Sequence, residues 1–258
     1  MTTDPGNDID EAKDWQGNDI DCASCRHGEL LLSGKCSLKR ACVHDRYARR
    51  IDRFFNWNPE LSNLYIEHPH FEVRAIAAKH ADVFLLLPLL RDTEEAVRWN
   101  AVRRLPKKYL LHLRTDPHRE VRIRVAQQLG DADLIQMIGD PDYYVRLVIA
   151  RRIGLALLPR LRHDEEVEVR RVVARRIGHD WLFAMAKDDD PLVRLEVAQR
   201  LPVSLLGHLK QDPDWRVRYE VANRIGVGEL SNFLDDSDLM VRELAWQRCG
   251  TTKTHSIC

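Results

Sequence analysis

The sequence predicts an all-α solenoid of 24-residue repeats carried behind a small cysteine-rich head. Three observations lead there. A Val-Arg pair returns at one spacing: Val73-Arg74, Val97-Arg98, Val121-Arg122, Val145-Arg146, Val169-Arg170, Val193-Arg194, Val217-Arg218 and Val241-Arg242. The apolar residues around each pair fall at helical spacing, with no period-2 alternation. Four cysteines, Cys22, Cys25, Cys36 and Cys42, precede the first repeat. Self-similarity at a fixed 20–50 residue period marks a stack whose units are each too small to bury an apolar face alone.

These signals divide the chain into an acidic tail (1–20), a cysteine-rich head with an N-terminal cap (21–65), eight repeats (66–252) and a short C-terminal tail (253–258). The tail is polar, and residues 1–21 hold seven acids against Lys13. Its default reading is an unpacked segment, the alternative being that Trp15 packs on the head. Over the whole chain 40 Lys and Arg balance 40 Asp and Glu. Such neutrality argues against bulk electrostatic binding to DNA or to a membrane. No stretch has the 18 apolar residues of a spanning helix, and the acidic N-terminus does not resemble a signal peptide. A cytoplasmic protein is expected, and there clustered cysteines bind metal more often than they form disulfides.

The head has the pattern C-x2-C-x10-C-x5-C, with Gly28 and Gly34 marking turns between its halves. Four thiolates suit either one structural zinc or an iron–sulfur cluster. Zinc ribbons usually repeat the C-x2-C knuckle in both halves, and the C-x5-C pair is a poor knuckle. A cluster tolerates irregular spacing, and its negative charge would suit Arg26, Lys35, Lys39, Arg40 and Arg46 nearby. On ligand grounds both remain open, with a slight lean toward iron–sulfur. Val43-His44 followed by Ala48-Arg49-Arg50-Ile51 repeats the spacing of Val145-Arg146 and Ala150-Arg151-Arg152-Ile153. The head is therefore expected to stack on the helix around Val73 as a degenerate repeat.

Within a repeat, residues 116–139 serve as the pattern. Asp116-Pro117 reads as a helix start, with Asp capping and Pro at the first position. Val121, Val125 and Leu129 form the apolar stripe, and Ala126 belongs to a small column that lets helices approach. Gly130 reads as the stop, as do Gly154, Gly178, Gly226 and Gly250, with Pro106 and Pro202 in the same column. A second apolar pair follows, such as Leu134 and Met137 or Leu158 and Leu161, at a spacing suited to a 3₁₀ turn. Trp246 replaces the alanine in the last unit, as suits a capping repeat.

Two charged columns could carry chemistry. The aspartates Asp92, Asp116, Asp140, Asp164, Asp188, Asp212 and Asp236 stand five residues before each valine. Each arginine is expected to reach a neighbouring repeat's aspartate, since an unpaired desolvated charge is costly. The second column is Arg104, Arg152, Arg176, Arg200, Arg224 and Arg248. It reads as a solvated face in the last helical turn, the alternative being a phosphate track. Cys249 sits in a core column and is expected to be buried and inert, with Cys258 unpaired. The histidines show no ligand spacing. Nothing resembles a phosphate loop, a nucleophile elbow or a paired-carboxylate site, so no enzyme is expected.

The unit D-P-x3-V-R-x2-V-A-x-R-[IL]-[GP]…L, legible across Asp212–Leu230, resembles the leucine-rich repeat variant (LRV) family. The array Cys22, Cys25, Cys36 and Cys42 before it is similar to that family's iron–sulfur head, and together the likeness covers about residues 20–252. It implies alternating α and 3₁₀ helices wound into a right-handed superhelix, with a [4Fe-4S] cluster on the four cysteines. His68 stands where the first repeat should have Asp, and the unit at Val241 lacks its second helix. The expected function is a binding or scaffold module with an unidentified protein partner on the solenoid surface. Its cluster would be redox-responsive, iron-responsive or structural. Electron transfer to a docked partner and nucleic-acid binding through the basic columns are the alternatives.

Overall fold

The computed structural model describes residues 11–250, and the chain divides into two compact units after Leu129. Among the described residues all regular structure is helical, with three isolated β-bridges confined to residues 13–45. None of these helices is long and apolar enough to cross a membrane.

The first unit contains α1 (Gly28–Leu32), α2 (Ala48–Trp57), α3 (Phe71–Ala77), α4 (Glu95–Val102) and α5 (Arg119–Gln128). Short 3₁₀ segments link them at Pro59–Tyr65, Val83–Leu86, Pro88–Arg91, Lys107–Tyr109 and Leu111–Thr115. The second unit holds the long helices α7 (Tyr143–Arg152), α8 (Val167–Arg176), α10 (Pro191–Arg200), α11 (Trp215–Arg224) and α12 (Leu239–Gly250). One-turn helices α6 (Asp131–Leu134) and α9 (His179–Leu182) each run into a 3₁₀ turn, and 3₁₀ segments alone fill the same place at Leu158–Leu161, Val203–Leu209 and Val227–Phe233.

The expected columns form the core. Val97, Val121, Val145, Val169, Val193, Val217 and Val241 are fully buried, as are Ala126, Ala150, Ala174, Ala198 and Ala222. The leucine pairs of the short turns are buried too, including Leu158, Leu161, Leu182 and Leu206. In the last helix Ala245 takes the buried valine place and Trp246 is turned outward at 59% exposure.

The arginine ladder exists. Arg74, Arg98, Arg146, Arg170, Arg194 and Arg218 each place Nε and Nη2 on both carboxylate oxygens of the aspartate 18 residues later, at 2.7–3.0 Å. The remaining Nη1 donates to the carbonyls of its own repeat's opening turn, as Arg194 does to Asp188 and Asp189 at 2.8 and 3.0 Å. This fork geometry matches a planar guanidinium to a carboxylate and leaves little of either group unsatisfied.

Four expectations need correction. The column aspartate is not the N-cap. The helices start about three residues later, and the caps of α7, α10 and α11 are Asp142, Asp190 and Asp214. The column carboxylate instead accepts the N–H two residues on, such as Asp212 Oδ1 from Asp214 at 2.9 Å, while holding the previous repeat's arginine. In the first repeat His68 supplies this contact, its Nδ1 accepting from His70 at 3.1 Å.

The glycine column does not stop helices through a left-handed residue. α7 and α8 end because Ile153 and Ile177 turn extended, and the following glycine is extended as well, as at Gly178 with φ −63°. Proline, which cannot adopt positive φ, sits in the same column at Pro106 and Pro202 for that reason. Gly154 is required on other grounds, since a Cβ there would meet Asp131 Oδ2 at 2.4 Å. Gly250 is the last residue of α12.

The second basic column is not a free solvated face. Arg176, Arg200 and Arg224 extend Nη2 to the carbonyls of Ile153, Ile177 and Leu201 at 2.8–3.0 Å, and their Nη1 to Ala150, Ala174 and Ala198. Arg104 donates likewise to Ala78 and Ala81. These side chains cap the orphan carbonyls ending the preceding repeat's helix. Finally, Cys249 is partly exposed and disulfide-bonded, whereas a buried inert thiol was expected; Cys258 lies outside the described residues.

Candidate metal centre

The head brings its four cysteines together by three local devices. Asp21 Oδ1 accepts the Ala23 N–H at 2.8 Å and sets the turn carrying Cys22 and Cys25. The Cys25 carbonyl then accepts from Gly28, which closes a turn over residues 25–28 and opens α1. Gly34 also turns the chain, with φ +72°. Ser37 and Ala41 exchange two backbone hydrogen bonds at 2.9 and 2.8 Å across a turn in which Lys39 has φ +63°. That exchange folds the five intervening residues back and sets Cys36 beside Cys42.

The thiols differ by position. Cys36 and Cys42 are buried, and Cys22 and Cys25 are partly exposed. The side-chain interaction between Cys36 and Cys42 pushes the Cys42 thiol up, together with burial, and lowers that of Cys36 against the opposing effect of burial. Burial, followed by the sulfurs of Cys42 and Cys25, raises Cys22. All four sulfurs thus share one electrostatic neighbourhood in which joint ionisation is unfavourable without a compensating cation. The donor set is all-sulfur, the kind preferred by soft centres such as iron–sulfur clusters and zinc. Among the described residues no three His, Cys, Asp or Glu side chains form a group that could hold a single ion.

The inner side of the set is shared with the first repeats. Cys36, Val43, Ile51, Phe54, Phe55, Tyr65, Val73 and Ile76 form one hydrophobic core, so the head does stack on the helix around Val73. Val43 lies before α2 and not within it, so the degenerate repeat keeps the packing but not the helical register.

Residues 11–20, expected in the tail, belong to this region. Lys13 bridges Asp19 and Asp14 bridges Asp45, Arg46 N–H donates to the Lys13 carbonyl at 3.0 Å, and Trp15 stacks on His70 with centroids 5.6 Å apart. Trp15 is thus packed, as the alternative had it, but its ring stacks on His70 of the first repeat, and it meets the head only as part of a cavity lining shared with Cys25 and His44. An isolated charge count could not see that Asp14 accepts three hydrogen bonds from Gln16 and Asn18. Residues 1–10 of the expected tail, and 253–258, lie outside the described residues.

A cavity of about 390 Å³ opens beside Cys25, lined by Trp15, Ile20, Asp21, Ser24, Arg26 and His44 among others. Of the five bases expected to face the centre only Arg26 lines it. Arg40 instead lies over the Trp57 ring, and Arg46 pairs with Glu11 at 3.6 Å.

Histidines given no role cluster here. His27 hydrogen-bonds Tyr65, and the rings of His44 and His68 lie 6.4 and 5.9 Å from that of Tyr65. Burial lowers His27 and His44 below the usual imidazole range. Burial, opposed by Arg26 and reinforced by Cys25, Cys42 and Cys36, pushes the Tyr65 phenol up to about 12. The sequence held a signal for two of them, because Cys25 and Cys42 are each followed two residues later by histidine.

The comparisons with known proteins agree with this geometry. A family model described as "LRV protein FeS4 cluster" matches residues 12–64, which reaches back across the Trp15 turn. A solved structure described as a leucine-rich repeat variant with a novel repetitive structural motif superposes with a TM-score of 0.85 at 41% identity, over 89% of this chain and 98% of that one. The chain belongs to the leucine-rich repeat variant family. An LRV assignment accounts for both the helical solenoid and an iron–sulfur-binding head. An uncharacterised 27.7 kDa protein of Rhodobacter capsulatus, from the nifB 3' region, is 51% identical over 96 residues. That match covers 37% of this chain and 39% of the relative's own length.

Proposed function

We propose that Cys22, Cys25, Cys36 and Cys42 hold a [4Fe-4S] cluster, and that the cluster is the state-dependent part of a non-catalytic protein-binding scaffold in the cytoplasm. The carrying observation is that Cys36 belongs to the same core as Val73 and Ile76 of the first repeat. Occupancy of the site is then linked to packing where the solenoid begins, because metal binding to a site formed by folding contributes to folding free energy. The group would supply one-electron chemistry and sensitivity to oxidants. The chain's own residues would bury two ligands at Cys36 and Cys42 and leave the Cys22 and Cys25 edge at a cavity. The four head thiols are free, as a reducing compartment keeps them, with the Cys249 disulfide as the exception.

The partly exposed Cys22 and Cys25 edge also favours a second reading, electron transfer to a docked partner. Nucleic-acid binding loses support, since the aligned arginines already serve helix carbonyls.

Anaerobic purification with iron, sulfide and zinc analysis and a visible spectrum tests the cofactor. About four irons and four sulfides per chain are expected for the cluster named. Colourless protein carrying one zinc would overturn it. Capture experiments with loaded and stripped protein test the scaffold reading: identical partner recovery in both states removes the responsive role. Reversible voltammetry without any state-dependent partner would favour electron transfer.

A further inference from the structure

His27 and Tyr65 form a buried polar pair that the repeat pattern does not require. Tyr65 is 3% exposed and His27 8%. Their Nε2 and Oη atoms are hydrogen-bonded although 38 residues separate them. The pair sits in an aromatic box, with the Phe54 ring 5.4 Å from His27 and the Phe55 ring 5.7 Å from Tyr65. Burying two polar side chains there costs free energy unless their hydrogen bonds are completed.

Those bonds are only half completed by protein. Among the described residues Tyr65 Oη has His27 Nε2 as its hydrogen-bond partner and no other. When a neutral imidazole donates from Nε2 to the phenol oxygen, the phenol hydrogen is left to aim at another acceptor. Cys25, Cys42 and Cys36 all act electrostatically on the phenol, and the imidazoles of His44 and His68 lie beside its ring. The backbone N–H of His27 already points to Cys25 Sγ at 3.4 Å, and Cys36 shares the core occupied by Tyr65. Tyr65 comes from the end of the 3₁₀ turn Pro59–Tyr65, outside the cysteine segment altogether. It therefore reaches the site from the N-terminal cap, beyond the last cysteine, and is held there by burial and by His27.

We propose that Tyr65, oriented by His27, donates its phenol hydrogen to the sulfur face of the cluster held by Cys22, Cys25, Cys36 and Cys42, and so acts as a positioning residue for it. The inference rests on the cluster assignment above. A hydrogen bond to cluster or cysteine sulfur stabilises the added electron of the reduced state and raises the potential. Outer-sphere partners of this kind typically change metal retention by roughly 10–100-fold.

The test uses full-length wild type, Tyr65→Phe and His27→Gln, all purified anaerobically and assayed first for iron and sulfide. Wild type without iron or sulfide removes the cluster reading itself and is thus distinguishable from failure of this inference. With wild type loaded, Tyr65→Phe is expected to load, to shift its midpoint potential negative, and to bleach about tenfold faster against an iron chelator. His27→Gln, whose amide can still donate to the phenol, is expected to lie between the two. Loaded Tyr65→Phe with wild-type potential and bleaching rate overturns the proposal. Loss of loading with an unchanged apo melting temperature supports it, whereas loss of loading together with a lowered melting temperature reduces Tyr65 to a packing residue and overturns it.

Discussion

The head and the repeats solve the same problem, satisfying buried polar groups, in opposite ways. In the repeats one contact is used over and over: an arginine forks onto the next aspartate and caps a turn, as Arg170 does with Asp188 at 2.8 and 3.0 Å. In the head each contact is made once. Arg50 stands where a ladder arginine would, 18 residues before His68, yet pairs with the fully buried Asp45 at 2.9 Å and reaches the Glu11 carbonyl. Asn58, also fully buried, ties α2 to the Lys35 carbonyl at 2.8 Å. Repetition gives a stack whose stability is a sum of like interfaces. Unrepeated contacts give a region whose parts differ, as its two buried and two partly exposed cysteines do.

This contrast can be broken most severely at the cysteines. Cys36→Ser or Cys42→Ser is expected to abolish the visible chromophore and iron content while circular dichroism keeps most of its helical signal. Loss of helix throughout would show that the repeats cannot stand without the head. Next in size, Asp212→Ala leaves Arg194 buried without its carboxylate and should cost about 3–5 kcal/mol in chemical denaturation. The paired replacement Arg194→Met with Asp212→Leu should recover most of that loss, because a buried ion pair often breaks even against packed apolar groups. Leu158→Ala, at a fully buried site, is expected to cost about 2–5 kcal/mol, and a loss well under ~1 kcal/mol would mean it is not core.

A smaller effect follows from pH. The hydrogen bond from Arg218 holds the Asp236 carboxyl below its ordinary value of 3.8. A carboxylate depressed on folding contributes stability that is complete above its unfolded pKa and lost as pH falls through the folded value. Denaturation midpoints should therefore be insensitive to this pair near neutrality and fall below about pH 4, and Asp236→Asn should flatten that acid limb. The smallest effect concerns the carbonyl caps. Gln128 stands in the column of Arg104 and Arg176 and makes the equivalent bond to the Val102 carbonyl. Arg224→Gln should consequently cost under about 1 kcal/mol, the range of one net hydrogen bond, and a larger loss would mean that the charge matters beyond the bond.

The same contrast explains what was legible in sequence. Val145, Ala150 and Leu158 announced their burial because each stands in a column of like residues, and the arginine–aspartate tie followed from the same alignment. The helix starts were misplaced because two aspartates, such as Asp212 and Asp214, stand close together and either could cap; only backbone geometry shows that Asp214 does. Gly130 was misread because a glycine after an apolar stripe usually signals a left-handed cap, while proline at Pro106 and Pro202 argued against it. In the head the cysteines were evident and their surroundings were not. Trp15 reaches His70 across 55 residues of sequence and Tyr65 reaches His27 across 38, and no periodicity records such singular contacts.

The ladder also has a direction. Every fork runs from an arginine to an aspartate 18 residues further along, and every carbonyl cap runs back from an arginine to the repeat before it. A duplicated block of 24 residues inserted in frame would therefore re-create both bonds at each new junction, whichever repeat it interrupted. An insertion of any other length would leave one arginine and one carboxylate facing strangers. Growth of such an array by tandem copying is thus conservative at the level of single hydrogen bonds, while the head, having no second copy of anything, must be inherited whole.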